Sequence, residues 1–184
     1  KLGKELRDIL LHTHDHVSPR AEALLYAADR AHHVDTLIRP ALDRGEIVIT
    51  DRYLDSSIAY QGAGRVLSPG EVGRISRWAT EGLTPTLTII IDLPAEVGIG
   101  RLKSRDRLES ESLAFHERVR QEFLSLSLLD PERYIVIDGR QSIEDIHSAI
   151  TSRVTELRDL SKIEKQPKTK KRIIKKPNLR KSSK

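Results

Sequence analysis

A doubly wound, three-layer α/β domain on a parallel sheet is the fold this sequence predicts, and three observations predict it. Helix-like and strand-like segments alternate along the chain, as a parallel sheet with crossover helices requires. The strand-like segments 46–50, 87–93 and 134–138 are continuous apolar runs rich in Ile and Val, the pattern of strands covered on both faces. The segments between them open on Ser-Pro pairs or other caps and carry apolar residues at helical spacing.

Taken in order, Leu2, Leu6, Ile9 and Leu10 form a short helical stripe that the polar loop 12–17 ends. Ser18 is placed as an N-cap with Pro19 at the first helical position, opening a long helix whose apolar residues are Leu24, Leu25, Ala28, Val34, Leu37 and Ile38. Asp43, Arg44 and Gly45 bound strand 46–50 upstream. Ser68-Pro69-Gly70-Glu71 is a capping box with Pro at N1; its helix is expected to bury Val72, Ile75, Trp78 and Ala79 and to stop at Gly82. Strand 87–93 follows, and Asp92, before Leu93-Pro94, is expected to cap the next helix. Beyond strand 134–138, Ser142 caps a last helix with Ile143, Ile146, Ile150, Val154 and Leu157 on one side.

Composition narrows the function classes. The 184 residues suit one domain, and the lack of cysteine excludes a disulfide framework and a thiolate zinc site. No run of 18 apolar residues or signal-type apolar segment occurs, so a soluble cytoplasmic protein without membrane contact is expected. Residues 162–184 hold eleven Lys or Arg and one acid, +10, so residues 1–161 carry about −5 of the net +5. The chain therefore divides into a domain, 1–161, and a Lys/Arg-rich tail, 162–184, expected to be disordered. The tail suits a solubilising extension, with weak, salt-dependent contact to nucleic acid as the other possibility. Methionine is absent and the first residue is Lys1, which leads us to expect that the chain starts partway into its protein.

The most informative stretch is 51–65, Asp-Arg-Tyr-Leu-Asp-Ser-Ser-Ile-Ala-Tyr-Gln-Gly-Ala-Gly-Arg. An acid and an arginine at the carboxyl end of a strand sit where open α/β sheets bind ligands. Arg52 offers a planar fork for phosphate, Asp51 can hold a metal-bound water, and Ser56 and Ser57 supply hydroxyls on the turn that follows. Asp51-Arg52-Tyr53, Ser56, Ser57, Ala59 and Tyr60 together resemble the signature of thymidylate kinases, bacterial type, over residues 1 to about 160. The resemblance implies the P-loop nucleoside monophosphate kinase fold, phosphorylation of dTMP to dTDP with ATP and Mg²⁺, and a homodimer. It also implies a G-x-x-x-x-G-K-[ST] loop, which these 184 residues do not contain. On that ground a first strand-loop-helix-strand unit is expected to be missing, and the chain as given is expected to be inactive as a kinase.

Residue by residue, the resemblance implies that Arg52 orients the acceptor phosphate, that Asp51 helps place Mg²⁺ through water, and that Tyr60 packs against the deoxyribose. Gln61 and Ser57 lie where relatives contact the base, although Ser57 is small where some relatives have a longer polar residue. On the helix after Ser18, Tyr26 and Arg30 are four apart and share a face, able to grip a flat polar ring by stacking and hydrogen bonding. Thymidylate kinases carry an aromatic and an Arg at this spacing for the thymine base. The charged segment 100–109, with Arg118 and Arg120 beyond it, resembles the mobile lid, whose arginines neutralise the transferring phosphoryl group. Arg105 is favoured over Arg101 as the catalytic lid residue, with Arg107 held by Glu109. His12, His14 and His16, with His32 and His33, lack the carboxylate or cysteine of a known metal-ligand spacing. The alternative is a non-catalytic nucleotide- or nucleic-acid-binding protein derived from the same fold.

Overall fold

The computed structural model describes residues 2–13, 16–101 and 106–164. Helix α1 (Leu2–His12) packs on α2 (Pro19–His33), whose Ser18 cap accepts a hydrogen bond from Ala21 N while Pro19 fills N1. The helix continues through a π turn, Val34–Ile38, into α3 (Arg39–Asp43). Pro40 explains that turn. Proline has no N–H to donate and its ring clashes with the carbonyl four residues back, and widening the turn relieves both problems without ending the helix. Gly45, at φ 78°, then reverses the chain.

Residues 46–50 depart from expectation: they form no strand among the described residues, and Ile47 and Ile49 are 84% and 93% exposed. A strand exists through a neighbour's hydrogen bonds, and the two strands present pair with each other. The signature follows as α4 (Leu54–Ser57) and a second π turn, Ile58–Gly64. Gly64 is required there, because a Cβ would sit 2.7 Å from the Phe115 ring. Ser68 caps α5 (Pro69–Ala79), its hydroxyl accepting from Glu71 N, and Gly82 terminates the helix at φ 74°.

Strand β1 (Thr88–Asp92), α6 (Ala95–Gly100), α7 (Leu113–Leu129) and β2 (Tyr134–Asp138) make a β-α-β unit. The strands are parallel and in register from Thr88 opposite Tyr134 to Asp92 opposite Asp138. The architecture is thus α/β with a two-stranded parallel sheet among the described residues. Helix α8 (Ile143–Glu164), capped by Ser142 through Asp145 N, lies beside β2.

Burial corrects several stripes. In α1 it is Leu10 and Leu11 that are buried, while Leu2 and Ile9 are exposed. Along α2 and its extension the buried residues are Ala23, Ala27, Val34 and Ile38; Leu24, Ala28 and Leu37 face outward. Val72 and Ala79 of α5 are buried, with Ser76 between them, whereas Trp78 is exposed and Ile75 half-buried. Ile143 and Val154 of α8 are exposed too. Nor is the sheet covered on both faces: Ile89, Ile91 and Val136 are exposed although their runs are uniformly apolar. The core instead lies between helices, where Leu10, Leu11, Ala59, Leu108, Phe115 and Val119 cluster with Tyr26 and Tyr60 against them.

Candidate active site

The signature helix is held in place from two sides. On one, the carboxylate of Asp55 receives both terminal nitrogens of Arg133, at 2.9 and 3.1 Å, and the Tyr134 hydroxyl at 2.8 Å, which ties α4 to β2. On the other, Arg30 of α2 donates to Ser57 Oγ at 3.0 Å and to the Tyr53 carbonyl at 3.1 Å. Burial pushes the Arg30 pKa below its ordinary value, and the neighbouring Tyr53 and carboxylates Asp29 and Asp55 oppose that shift. A guanidinium titrates so far above neutrality that it keeps its charge here.

Arg52 occupies the left-handed region at φ 65°, a conformation that costs a non-glycine residue of order 1 kcal/mol. Thr50 Oγ1 donates to the Arg52 carbonyl at 3.0 Å and supports the turn. The result is an exposed guanidinium lying 4.9 Å over the Tyr60 ring. Tyr60 itself meets Phe115 and Phe123 edge-on, with centroids 6.0 and 6.3 Å away. Asp51 is exposed beside Arg52, Ser56 is half-buried, and Ser57 and Gln61 are buried. Tyr26 is half-buried against the helical core, and its phenol is pushed up to about 12, first by burial and then by the charge of Glu22. It also walls a cleft of about 500 Å³ between α1 and α2, shared with Leu10, Leu11, Arg7, Asp29 and His33.

The lid residues divide. Arg101 is exposed at the end of α6, and Arg105 lies outside the described residues, as does His14. Arg107 is not held by Glu109. It donates to the Leu10 carbonyl at 2.7 Å and to Glu22 at 2.6 Å, while Glu109 accepts from Asp106 N. Arg118 donates to the carbonyls of Ala63 and Gly64, bracing the end of the signature. Asp92 does not cap α6, which Pro94 opens without a side-chain cap; it pairs with Arg120 through two bonds of 2.7 and 2.9 Å. That pairing holds the Asp92 carboxyl below its usual range.

Sequence reasoning overlooked the polar centre that joins these parts. Glu22, fully buried, accepts from Gln61 Nε2 at 2.9 Å, from Arg65 Nε and Nη2 at 3.2 and 3.1 Å, and from Arg107 Nη2 at 2.6 Å. Arg65 is held in addition by Glu111. The available signal was spacing: Glu22, Tyr26 and Arg30 recur every four residues on one face of α2.

Among the described residues no three His, Cys, Asp or Glu side chains group as a metal cage. Magnesium does not need one, since it keeps several waters and uses one or two carboxylates with substrate phosphates. The exposed Asp51, next to the exposed Arg52, is a donor that fits such a site.

Comparison with known proteins identifies the family. The family model described as thymidylate kinase matches residues 1–150. A thymidylate kinase of Clavibacter michiganensis subsp. michiganensis is 56% identical over 161 residues, covering 85% of this chain and 76% of its own. One from Leifsonia xyli subsp. xyli is 55% identical, covering 83% and 74%, and one from Bifidobacterium longum is 52% identical, covering 85% and 78%. With the acid-arginine-tyrosine turn, the Arg30 bridge and these matches all within the same residues, the chain belongs to the thymidylate kinase family.

Proposed function

We propose that this chain carries the acceptor side of ATP-dependent phosphorylation of dTMP to dTDP, at the junction of α2 and the signature. The observation that carries the reading is the junction itself. Arg30 bonds both Ser57 and the Tyr53 carbonyl, and one turn of chain away Arg52 stands over Tyr60 with its guanidinium turned to solvent.

In this reading Arg52 receives the dTMP phosphate with a bidentate, charge-assisted contact, the geometry for which a planar fork is suited. Tyr60 lies beneath the deoxyribose and crowds a 2′-hydroxyl. Tyr26 and Arg30 hold the base, and Ser56, Ser57 and Gln61 supply polar contacts around it. The Tyr26 phenol is neutral at neutral pH, as a stacking partner should be. Phosphoryl transfer asks chiefly for positioning and charge neutralisation, so no protein base is assigned. Asp51 would hold Mg²⁺ through water, and the ion supplies charge neutralisation at the phosphates. Arg101 and Arg105 are the lid residues proposed to meet the transferring group; Arg107 serves by anchoring the lid's carboxyl end.

The donor phosphates need a cradle of backbone N–H groups and a lysine, and no G-x-x-x-x-G-K-[ST] lies within these 184 residues. A full three-layer, doubly wound sheet would cover the exposed apolar residues of 46–50 and of β1. A homodimer through α2 would cover the exposed Leu24 and Leu37. No helix among the described residues is long and apolar enough to cross a membrane, and a cytoplasmic enzyme is proposed. Residues 165–184 of the basic tail lie outside the described residues, and a weak nucleic-acid contact there stays a proposal.

The test is a calorimetric titration with dTMP, which needs no donor site. Arg52→Ala should weaken dTMP about a hundredfold, equivalent to ~3 kcal/mol. Its melting temperature should move by no more than about 2 °C, because the side chain is exposed. Unchanged dTMP affinity in the variant would remove Arg52 from the site.

A further inference from the structure

Glu22 has more partners than charge balance asks for. Arg65 and Arg107 already supply two cations to one carboxylate, and Glu111 takes up the surplus on Arg65. Gln61 nonetheless joins them at 2.9 Å, a bond buried on both sides. A carboxylate only accepts hydrogen bonds, whereas a glutamine amide can present either a donor or an acceptor to whatever it faces. Bonding to Glu22 removes that freedom. The Gln61 NH₂ must turn toward Glu22, which sets its carbonyl oxygen on the opposite side of the amide.

That choice matters for pyrimidines. The ring edge of thymine carries an N3–H donor, and that of cytosine carries an N3 acceptor at the same place. A fixed carbonyl oxygen accepts from the first and opposes the second. An amide able to flip would serve both. Resting on the reading above in which Gln61 contacts the base, we propose that Glu22 is a positioning residue for base selectivity, locking the Gln61 amide so that its carbonyl oxygen receives a pyrimidine N3–H. Glu22 does not touch the nucleotide; it acts through Gln61. Its place one turn before Tyr26 and two before Arg30 on α2 sets the lock on the same helix face as the base clamp. The arginines keep the carboxylate ionised and hence acceptor-only, and Arg107 also fastens that face to α1 through the Leu10 carbonyl.

Two variants, each titrated with dTMP and dCMP, test the proposal. In Glu22→Gln, the new amide can donate as well as accept, so Gln61 can turn either end outward. Affinity for dTMP should fall, dCMP should stay within about twofold, and the dTMP-over-dCMP ratio should drop about tenfold or more. Equal losses for both nucleotides would mark a general packing role, and an unchanged ratio in a folded variant would equally overturn the assignment. Gln61→Met probes the reading underneath. An unchanged ratio in that variant takes Gln61 away from the base altogether, while a lowered ratio there with an intact one in Glu22→Gln sinks only the role of Glu22. If Glu22→Gln does not fold, the unaltered chain still decides. In ¹⁵N-labelled protein, the Gln61 side-chain NH₂ pair, assigned by its absence in Gln61→Met, should exchange slowly both before and after dTMP is added. Rapid exchange of that pair would overturn the lock.

Discussion

Around Glu22, residues from α1, α2, the signature and the segment before α7 are bound to one another by side chains. At 46–50, a stretch with a stronger strand pattern than any other in its half of the chain is held by almost nothing. The two regions differ in where their polar groups find partners. Helices satisfy their own backbone, so their side chains are free to make long-range bonds, and a single buried carboxylate can collect three partners from distant segments. A strand must obtain its backbone hydrogen bonds from a neighbour, and no β-branched run can supply one by itself. The signature is therefore organised by helices and ion pairs, and the sheet contributes through the bonds of Asp55 to Arg133 and Tyr134.

The largest break in this comparison is Arg107→Met. It removes one of the two cations on Glu22 and the donor to the Leu10 carbonyl while keeping the apolar stem. Breaking a buried ion pair outright costs about 3–5 kcal/mol; with Arg65 and Gln61 still on Glu22 the loss here should be about 2–3 kcal/mol, and for a domain of this size the melting temperature should fall by roughly 8 °C. Urea and thermal unfolding measure it. A loss under about 1 kcal/mol would mean that the polar centre does not couple these elements.

How far the sequence could be read follows the same division. Caps and stops were mostly legible because they are local: Ser18, Ser68, Ser142 and Gly82 act where expected, each within a turn of its own residue, whereas Asp92, expected as a cap, is taken up by Arg120 from 28 residues away. The pairing of Tyr26 with Arg30 on one face of α2 was legible from spacing. Glu22 was not, because a glutamate on a helix ordinarily faces water, and only the arrival of Arg65 and Arg107 from 43 and 85 residues away makes its burial tolerable. Strand 46–50 was misread for the complementary reason: its composition is right, but the missing property belongs to a neighbour. Trp78 shows the same limit on a smaller scale, since helical spacing placed it inward and its neighbours in space leave it 82% exposed.

A smaller effect, and one that sharpens the comparison, is the acid dependence of the polar centre. Burial by itself would raise the Glu22 pKa, but the hydrogen bonds from Arg65, Gln61 and Arg107, together with the Arg65 charge, outweigh it and hold the group below its ordinary value. A carboxyl depressed in the folded state stabilises fully above the unfolded value of 4.5 and loses that contribution as pH falls through the folded value. The stability difference between the unaltered chain and Glu22→Gln should therefore be constant from pH 7 down to about 5 and shrink below that. Urea unfolding at several pH values tests the sign; a difference that stays constant down to pH 3 would show that the ionised carboxylate is not what stabilises the centre.

The smallest effect is expected at 46–50, where its size is the point. Ile47→Thr and Ile49→Thr alter side chains that are almost fully exposed and whose segment lacks ladder partners among the described residues. Each should change the stability of this 184-residue chain by less than about 0.5 kcal/mol. Ile137→Ala in β2 provides the scale: that side chain is buried, its strand is paired with β1, and its truncation should cost about 3 kcal/mol. All three substitutions remove apolar surface from an Ile in a β-branched run, and the contrast in cost follows chiefly from whether a neighbour covers the residue. Should Ile49→Thr cost as much as Ile137→Ala in urea unfolding, the segment 46–50 would be packed in solution and the contrast with the Glu22 centre would fail. A near-zero value would show that its apolar residues stabilise nothing in this chain, and that the signature at 51–65 is held by Arg30, Asp55 and Glu22 instead.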